Sequence, residues 1–429
     1  MTSTQVKQGW QIKKLKDLPF EIIDGDRSSN YPKRDEFQSF GIPFFSTPNI
    51  QDNQLILNDL RFITKEKFDS LRKGKLQKHD IMMTTRGSVG NFAYFDCQYE
   101  TGFINAQMLI LRANETEISS RFFYYLFTSP TAQEKFQNYA SGSAQPQLPI
   151  KDLKEIQFLL PPLPTQQKIA SILSAFDDLI ENNTKRIKIL ENTAQLIYKE
   201  WFVDFKFPGH EKVKMVDSGT EFGEIPEGWE VKEIGDICIT SSGGTPSRKR
   251  EEEFYQNGTI EWVKTKELND GFILETEEKI TELAIEKSSA KAFPPLTVLL
   301  AMYGATIGKL GILSMEATTN QACCAFLAGN TYFSSYYLFQ FLKFNIKSII
   351  ALGMGAAQQN ISQQVIKKIP ILQPHEKILM QYDNMIKSIF DEILLLQRLN
   401  RKLRNTRDLL LPKLVSGDED VSRLSIQLT

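Results

Sequence analysis

Apolar residues recur in alternating steps of four and three along a stretch from Pro164 to Phe205. This spacing is typical of a coiled-coil seam, the line of residues along which two helices touch, rather than of the broader stripe of a surface helix. One polar residue, Asn183, interrupts this seam. The apolar seam positions are Ile169, Leu173, Phe176, Ile180, Ile187, Leu190, Ala194, Ile197 and Trp201.

The same steps return between Pro374 and Leu414, so the chain itself supplies a partner for the first helix. Here the pattern places Glu392 and Thr406 in the seam, with Glu392 at the position equivalent to Asn183. We therefore predict an intramolecular antiparallel helix pair in which Asn183 and Glu392 approach each other and fix the register. The other predicted positions are Ile378, Tyr382, Met385, Ile389, Leu396, Leu399, Leu403 and Leu410.

The chain contains two similar halves, since short motifs of the first half return in the same order in the second. Gly9-Trp10 returns as Gly228-Trp229, and Asn105-Ala106-Gln107 returns as Asn320-Gln321-Ala322. We expect domains at residues 1–160 and 208–370, long helices at residues 161–207 and 371–415, and a mobile tail at residues 416–429.

Each half is predicted to be mixed and β-rich, with short strands such as Asp80–Thr85 entering glycine turns and a second strand leaving them. Aromatic and aliphatic residues at helical spacing in segments 119–139 and 334–350 predict helices with their aromatic rings in the core. The expected fold class is α+β: two similar β-rich domains in a pseudo-two-fold tandem repeat, with two long helices forming an antiparallel coiled coil.

Composition excludes several classes of protein. The 429 residues carry 51 basic and 52 acidic side chains, so a nucleic-acid interaction must depend on local patches. Cys97, Cys238, Cys323 and Cys324 are too few for a disulfide framework, and the adjacent pair is interpreted as buried free thiols rather than metal ligands. No signal peptide or membrane span is evident, so we expect a cytoplasmic protein without membrane contact.

The sequence offers no catalytic motif, no phosphate-binding loop and no metal-ligand pattern. Loops that could bind DNA phosphates and base edges do recur at equivalent places in both halves. For any single loop, a solvated turn is an equally good interpretation. The candidates in the first half are Arg27, Asn30, Lys33, Arg34, Thr84, Thr85, Arg86, Ser88, Ser143, Gln145 and Gln147. Those in the second half are Ser241, Thr245, Ser247, Arg248, Lys249, Arg250, Lys264, Lys266, Tyr303, Thr306, Lys309, Gln358, Gln359 and Asn360.

Taken together, the duplicated motifs resemble those of type I restriction-modification specificity subunits, and the resemblance covers nearly the whole chain. The motifs that carry it are Gly9-Trp10, Gly228-Trp229, the turns at 86–90 and 303–309, Leu160-Pro161-Pro162-Leu163-Pro164, Tyr198–Phe205 and Leu410–Gly417. The resemblance implies that each globular half recognises one part of a split site in double-stranded DNA. It also implies that the helix pair spaces the halves and docks two methylase subunits.

The same resemblance implies that this chain is not an enzyme and binds no cofactor. S-adenosylmethionine, and ATP with Mg²⁺ where a motor subunit is present, would belong to methylase and restriction or motor subunits. A helix of about 40 residues is about 60 Å long, which limits the separation of the half-sites to about 17 base pairs. We expect the docking surface to include Trp201, Phe202 and the basic segment 398–407.

Two other functions remain open from the residues alone. One is a fused enzyme that both recognises and modifies DNA, which the absence of N-P-P-[FY] and D-P-P-Y motifs disfavours. The other is a coiled-coil scaffold whose two repeated domains bind a ligand other than DNA.

Overall fold

The computed structural model describes residues 9–142, 146–329, 332–353, 360–421 and 424. The chain divides into two compact units, and the division falls inside both long helices. Unit 1 combines the described parts of residues 1–180 and 402–429, and unit 2 comprises residues 181–401. The domain limits expected from the sequence remain predictions.

Unit 1 has a four-stranded antiparallel sheet in the order β2-β11-β8-β9, a second sheet in the order β6-β3-β10-β7 and the two-stranded pairs β1-β12 and β4-β5. Its strands are β1 (Gln11–Lys14), β2 (Phe20–Asp24), β3 (Ile42–Phe45), β4 (Ile50–Gln51), β5 (Gln54–Leu55), β6 (Arg61–Ile63), β7 (Lys75–Leu76), β8 (Ile81–Thr84), β9 (Phe92–Tyr94), β10 (Gly102–Ile104), β11 (Met108–Ala113) and β12 (Gln157–Leu160). Its helices are α1 (Lys65–Ser70), α2 (Ser120–Thr128), α3 (Pro130–Tyr139) and α4 (Ile150–Leu153), followed by the first part of α5 (Leu163–Phe202).

Unit 2 repeats this plan with sheets in the orders β16-β24-β21-β22-β18 and β19-β17-β23-β20 and with the pairs β15-β25 and β13-β14. Its strands are β13 (Met215–Asp217), β14 (Glu224–Pro226), β15 (Glu230–Glu233), β16 (Cys238–Ser241), β17 (Ile260–Val263), β18 (Gly271–Ile273), β19 (Lys279–Ile280), β20 (Ala292–Phe293), β21 (Val298–Ala301), β22 (Leu310–Leu313), β23 (Ala317–Thr319), β24 (Cys323–Ala328) and β25 (Pro370–Gln373). Its helices are α6 (Ile234–Ile237), α7 (Glu251–Phe254), α8 (Glu282–Glu286), α9 (Ser335–Ala351), α10 (Gln363–Lys367) and α11 (Glu376–Ser416), the last of which continues into unit 1. The predicted α+β fold with two similar domains is confirmed.

Strand β8 shows how each core is built, because successive side chains of a strand point to opposite faces. Ile81 and Met83 belong to the apolar cluster that includes α2, α3 and the start of α5. Met82, between them, belongs to the cluster around the second sheet. In unit 2, β21 divides its side chains between two clusters in the same way. The predicted strand-turn-strand units are confirmed, since β8 pairs antiparallel with β9 and β21 with β22.

The helix expected at residues 119–139 is broken, whereas its equivalent in unit 2 is continuous. Ser129 ends α2, and its side chain accepts a hydrogen bond from the backbone of Ala132 as the N-cap of α3. Pro130, which lacks an N–H, occupies the first turn of the new helix, where none is needed. Unit 2 has no proline at this point, so α9 continues for 17 residues.

The long helices pair antiparallel in unit 2, but the predicted contact of Asn183 with Glu392 is wrong, and several predicted seam positions of α11 are off by one residue, although Tyr382 and Leu396 are buried as predicted. Asn183 Nδ2 donates to Asn400 Oδ1 at 2.9 Å, and both side chains are buried. Glu392 instead pairs with Arg186 at the edge of the helix pair. The buried positions of α11 are Leu379, Tyr382, Ile386, Phe390, Ile393, Leu396, Asn400, Leu411, Leu414 and Val415.

Adjacent apolar residues explain this error. At Ile378-Leu379 and Ile389-Phe390, the sequence offers an apolar side chain to either of two registers, and the structure uses the second member of each pair. The predicted seam residues Met385 and Leu399 are 37% and 43% exposed. On α5, by contrast, predicted seam residues such as Ile169, Leu173 and Ile180 are buried as expected.

The cysteines are free, and Cys238, Cys323 and Cys324 are buried, as predicted for the adjacent pair. Burial raises the pKa of Cys238 and of Cys323 to about 12. The tail expected to be mobile contains Val421, which is buried in the unit 1 core. Residues 422–423 and 425–429 lie outside the described part of the chain.

Candidate nucleic-acid interface

Four separate segments of unit 1 meet at the ends of β2, β8 and β11. The backbone N–H of Gly25 donates to Met108, that of Thr85 to Gln107 at 2.9 Å, and that of Leu148 to Thr85 at 3.0 Å. We call residues 24–30, 84–90, 105–107 and 146–148 the first loop cluster. It brings together candidate residues that lie more than 100 positions apart in the sequence.

Unit 2 contains an equivalent cluster held by equivalent bonds. The backbone N–H of Met302 donates to Ala322 at 2.9 Å, and that of Ile361 donates to Met302 at 2.8 Å. The N–H of Gly243 donates to Thr319 Oγ1 at 3.2 Å. We call residues 241–250, 302–308, 320–322 and 360–361 the second loop cluster.

Repeated Asn and Gly residues shape both clusters. Asn105 Oδ1 accepts from the N–H of Gln107, and Asn320 Oδ1 accepts from the N–H of Ala322, both at 3.1 Å. A Cβ atom added to Gly25 would overlap the carbonyl oxygen of Asn105, so only glycine allows this close approach. The Asn residues were not among the predicted site residues, although their repetition in the sequence was the signal that could have identified them.

A glycine turn forms the outermost part of each cluster. Gly87 and Gly304 have φ of 78° and 82°, a left-handed conformation that favours glycine. A Cβ added to either residue would meet no atom within 4 Å, so both turns border open space.

Among the described residues of unit 1, some of the predicted ones already use their side chains in bonds within the protein, and others do not. Arg27 binds Asp24 at 2.6 Å and the carbonyl oxygen of Ala106 at 2.9 Å, and Asn30 binds the carbonyl oxygen of Ser70. Thr84 and Thr85 are buried, and their hydroxyl groups donate to backbone carbonyls, so they support the cluster from inside. Arg27 and Asn30 are exposed in spite of these bonds, and the other exposed candidates of unit 1 are Lys33, Arg34, Arg86, Ser88 and Gln147.

Carboxylates hold most of the predicted cations of unit 2. Arg248 pairs with Glu278 and lies over the ring of Tyr255 at 4.0 Å. Lys264 also binds Glu278, at 2.5 Å, and this hydrogen bond is the largest cause of the lowered pKa of Glu278. The remaining pairs are Lys266 with Glu277, Arg250 with Glu253, and Lys309 with Asp270.

The other predicted residues of unit 2 occupy varied positions. Thr245 donates to Gln321 at 2.6 Å, and Ser241 accepts from Lys291 at 3.5 Å. Ser247, Lys249 and Asn360 are exposed, whereas Tyr303 and Thr306 are half-buried. The predicted residues Ser143, Gln145, Gln358 and Gln359 lie outside the described part of the chain.

A buried carboxylate organises the first loop cluster. Asp26 accepts hydrogen bonds from the backbone N–H groups of Ser28 at 2.7 Å, Arg72 at 2.8 Å and Lys73 at 3.3 Å. Burial alone would raise the pKa of Asp26, but these hydrogen bonds outweigh it and lower the pKa to about 2.

The expected docking residues Trp201 and Phe202 are internal instead. They are 7% and 2% exposed, and both rings pack against Tyr382 in the unit 2 core. In the basic segment 398–407, two arginines form ion pairs with other parts of the protein. Arg401 pairs with Glu275 and, within unit 1, Arg407 binds Asp177 at 2.5 Å. Apolar residues are nevertheless exposed on the long helices: Leu179, Ile189 and Leu196 on α5, Val203 directly after its end, and Met380, Met385, Leu395, Leu399 and Leu409 on α11.

The described residues contain no group of three or more His, Cys, Asp or Glu side chains that could hold a metal ion. None of their helices is long and apolar enough to cross a membrane.

Comparison with known proteins gives a consistent result. The family model described as the type I restriction modification DNA specificity domain matches residues 7–192 and again residues 226–406. The MjaIX specificity subunit of Methanocaldococcus jannaschii is 29% identical over 426 residues, which cover 98% of this chain and 96% of that protein. The HindI specificity subunit of Haemophilus influenzae is 24% identical, with 92% and 98% covered.

A solved structure has the same fold. The S subunit of a type I restriction-modification system from M. genitalium aligns with a TM-score of 0.62 at 17% identity, covering 96% of this chain and 97% of that one. The two family-model matches each cover one of the duplicated halves. The relatives are named as specificity subunits rather than as methylase or nuclease subunits. The chain therefore belongs to the type I restriction-modification DNA specificity family.

Proposed function

We propose that the first and second loop clusters are the surfaces with which this specificity subunit contacts the two halves of a split site in double-stranded DNA. The observation that carries the proposal is the repetition of one arrangement in both units: a glycine turn, an Asn-containing loop and an extended segment meet at equivalent strand ends. Such a surface presents backbone and side-chain groups that can bind phosphates and base edges. In this proposal, the long helices set the distance between the half-sites.

The ion pairs of the candidate residues favour a DNA interface that this chain shares with partner subunits. Most of the predicted cations of unit 2 are already paired with Glu277, Glu278, Glu253 or Asp270. Because phosphate contacts supply most of the sequence-independent affinity, the isolated chain should bind DNA weakly and with strong dependence on salt. Partner subunits would then contribute much of the remaining phosphate neutralisation.

We propose two methylase subunits as those partners, docked on the exposed apolar residues of the long helices. Ile189 and Leu196 are seven residues apart, about two helical turns, which places them near one face of α5. Exposed apolar residues on one face are typical of a protein-interaction surface. S-adenosylmethionine, and ATP with Mg²⁺ where restriction or motor subunits join, would be bound by the partners rather than by this chain.

Sequencing of methylated bases tests the function directly. Cells that express the methylase subunit should carry methylation at a split motif only when this chain is also expressed. Matched cells with the methylase subunit alone are the control. Methylation of the same motif without this chain, or the absence of a split motif when both are present, would contradict the proposal.

A further inference from the structure

Residues 85–87 and 146–148 run antiparallel at the exposed side of the first loop cluster and are joined by a single bridge, and we call these two short segments the ribbon. The N–H of Gly87 donates to the carbonyl oxygen of Pro146 and that of Leu148 to Thr85, both at 3.0 Å. These two bonds flank Arg86 and Gln147, which lie opposite each other as a bridge pair. In such a non-hydrogen-bonded pair, the two side chains leave the same face of the ribbon with Cβ atoms about 4.5–5.5 Å apart.

The second loop cluster has the same ribbon with different side chains. Tyr303 and Asn360 form the bridge pair, and the N–H of Ile361 donates to Met302 as that of Leu148 does to Thr85. The backbone of the ribbon is thus common to both units, whereas the two outward residues differ. This is the arrangement expected where one scaffold must recognise two different sequences.

Arg86 also differs from most predicted cations in being available. Its side chain is exposed, and within the described ranges its guanidinium forms no ion pair or hydrogen bond. Arg27, Arg248 and Lys264, in contrast, are held by carboxylates. A cation that must first break an ion pair gains less binding free energy from a new partner. Arg86 is therefore better placed than Arg27, Arg248 or Lys264 to bind a base edge.

The glycine turn beside the pair allows close approach to DNA. Gly87 follows Arg86 and Gly304 follows Tyr303, and neither position would bring an added Cβ near another atom. A two-stranded ribbon fits the major groove, where each base pair shows a distinct set of donors and acceptors. The outward pair would then face the base edges.

We propose that the bridge pairs Arg86–Gln147 and Tyr303–Asn360 are the base-reading positions of the two loop clusters, an inference that rests on the proposed DNA-binding function. Arg86 donates two hydrogen bonds to O6 and N7 of a guanine, and Gln147 pairs with N6 and N7 of an adenine in the first half-site. Asn360 makes the equivalent contact to an adenine in the second half-site, and Tyr303 lies against the neighbouring base.

The test uses the complex of the full chain with its methylase subunits. After the wild-type motif has been determined, binding is measured to the site and to each single-base variant of both half-sites. Arg86→Ala should reduce discrimination at one guanine by about 5- to 150-fold, the effect of a bidentate contact worth about 1–3 kcal/mol. Arg86→Lys should lose the same discrimination, because it keeps the charge but not the two-pronged geometry. Asn360→Ala should relax an adenine of the other half-site only.

Arg72→Ala provides the matched control, since it removes an exposed arginine of unit 1 that is not part of the ribbon. It should leave every base preference unchanged. Retention of all first-half preferences by Arg86→Lys, a wild-type first half-site without guanine, or an equal loss of affinity for all sequences would each overturn the proposal. A wild-type complex with no split motif would instead refute the function on which the proposal rests.

Discussion

The buried pair Asn183–Asn400 allows a quantitative prediction about the helix pair of unit 2. Replacing Asn183 with leucine removes the donor to Asn400 Oδ1, and replacing Asn400 removes the acceptor of Asn183 Nδ2, whereas Asn400 Nδ2 also donates to Thr184 Oγ1 at 3.3 Å. The variants are Asn183→Leu, Asn400→Leu and the double variant. Because the side chains are only 5% and 3% exposed, water cannot easily replace the lost hydrogen bond.

The expected magnitudes follow from this burial. Removing one partner of a buried hydrogen bond costs about 1–3 kcal/mol, so each single variant should be destabilised by about that amount. In the double variant neither buried amide remains and two apolar side chains meet instead, which is neutral or stabilising, and the exposed Thr184 hydroxyl can bind water. The free energy of unfolding of the double variant should therefore exceed, by about 2 kcal/mol or more, the value obtained by adding the two single effects.

Urea unfolding followed by tryptophan fluorescence suits this measurement. Trp201 and Trp229 belong to the apolar core that the long helices share in unit 2, and Trp262 lies in the same unit. The fluorescence transition therefore reports mainly on the unit that contains the mutated pair. Leu196→Ala, at an exposed position of α5, is the control and should change stability little.

Additive destabilisation in the double variant would refute the reasoning, because it would mean that the two amides act independently. A second readout concerns register. A polar pair penalises slipped pairings of two helices, so the double variant should also methylate sites with altered spacing between the half-sites. An unchanged spacing preference would leave the pair with a role in stability alone.

Three further predictions concern other parts of the fold. Asp26→Asn should lower the free energy of unfolding of unit 1 by about 2 kcal/mol at pH 7. Because the folded pKa of Asp26 lies near 2, below the unfolded value, this difference should disappear as the pH falls from about 4 through about 2. Urea unfolding midpoints of the wild type and the variant at several pH values would show it. Gly25→Ala should displace the backbone of the first loop cluster and reduce methylation of the split site, whereas Gly329→Ala, whose added Cβ would make only ordinary contacts at 3.4 Å or more, should be tolerated. A thiol reagent at neutral pH should label Cys97 before the other three cysteines, because they are buried, and mass spectrometry would identify the site; equal labelling of all four would contradict the packing.

The general fold could be predicted from the sequence because its signals are local or duplicated. The apolar pattern of β8 and the glycines that follow it define a strand and a turn without knowledge of distant residues. The long helices could be predicted equally well from their apolar repeats. Their mutual register could not be predicted, since pairs such as Ile389-Phe390 satisfy two registers and only the packing of Phe390 in the core decides between them.

The candidate site was less predictable, because the availability of a side chain depends on distant partners. Arg248 and Glu278 are 30 positions apart, and nothing in the local sequence announces that they pair. The pairing of Arg86 with Gln147 depends in the same way on a strand contact between remote segments. Composition identified the loops that could bind DNA but not the residues that the fold leaves free to do so.

The division of the chain inside its two long helices has a consequence for how such proteins change over generations. Unit 2 is one uninterrupted segment, residues 181–401, which carries its own stretch of both helices. A gene fragment that encodes this segment therefore specifies one compact unit, with the second loop cluster and the helix packing that supports it. Two crossovers within helix-coding sequence would exchange the whole unit at once, so a new specificity can be inherited as a single cassette.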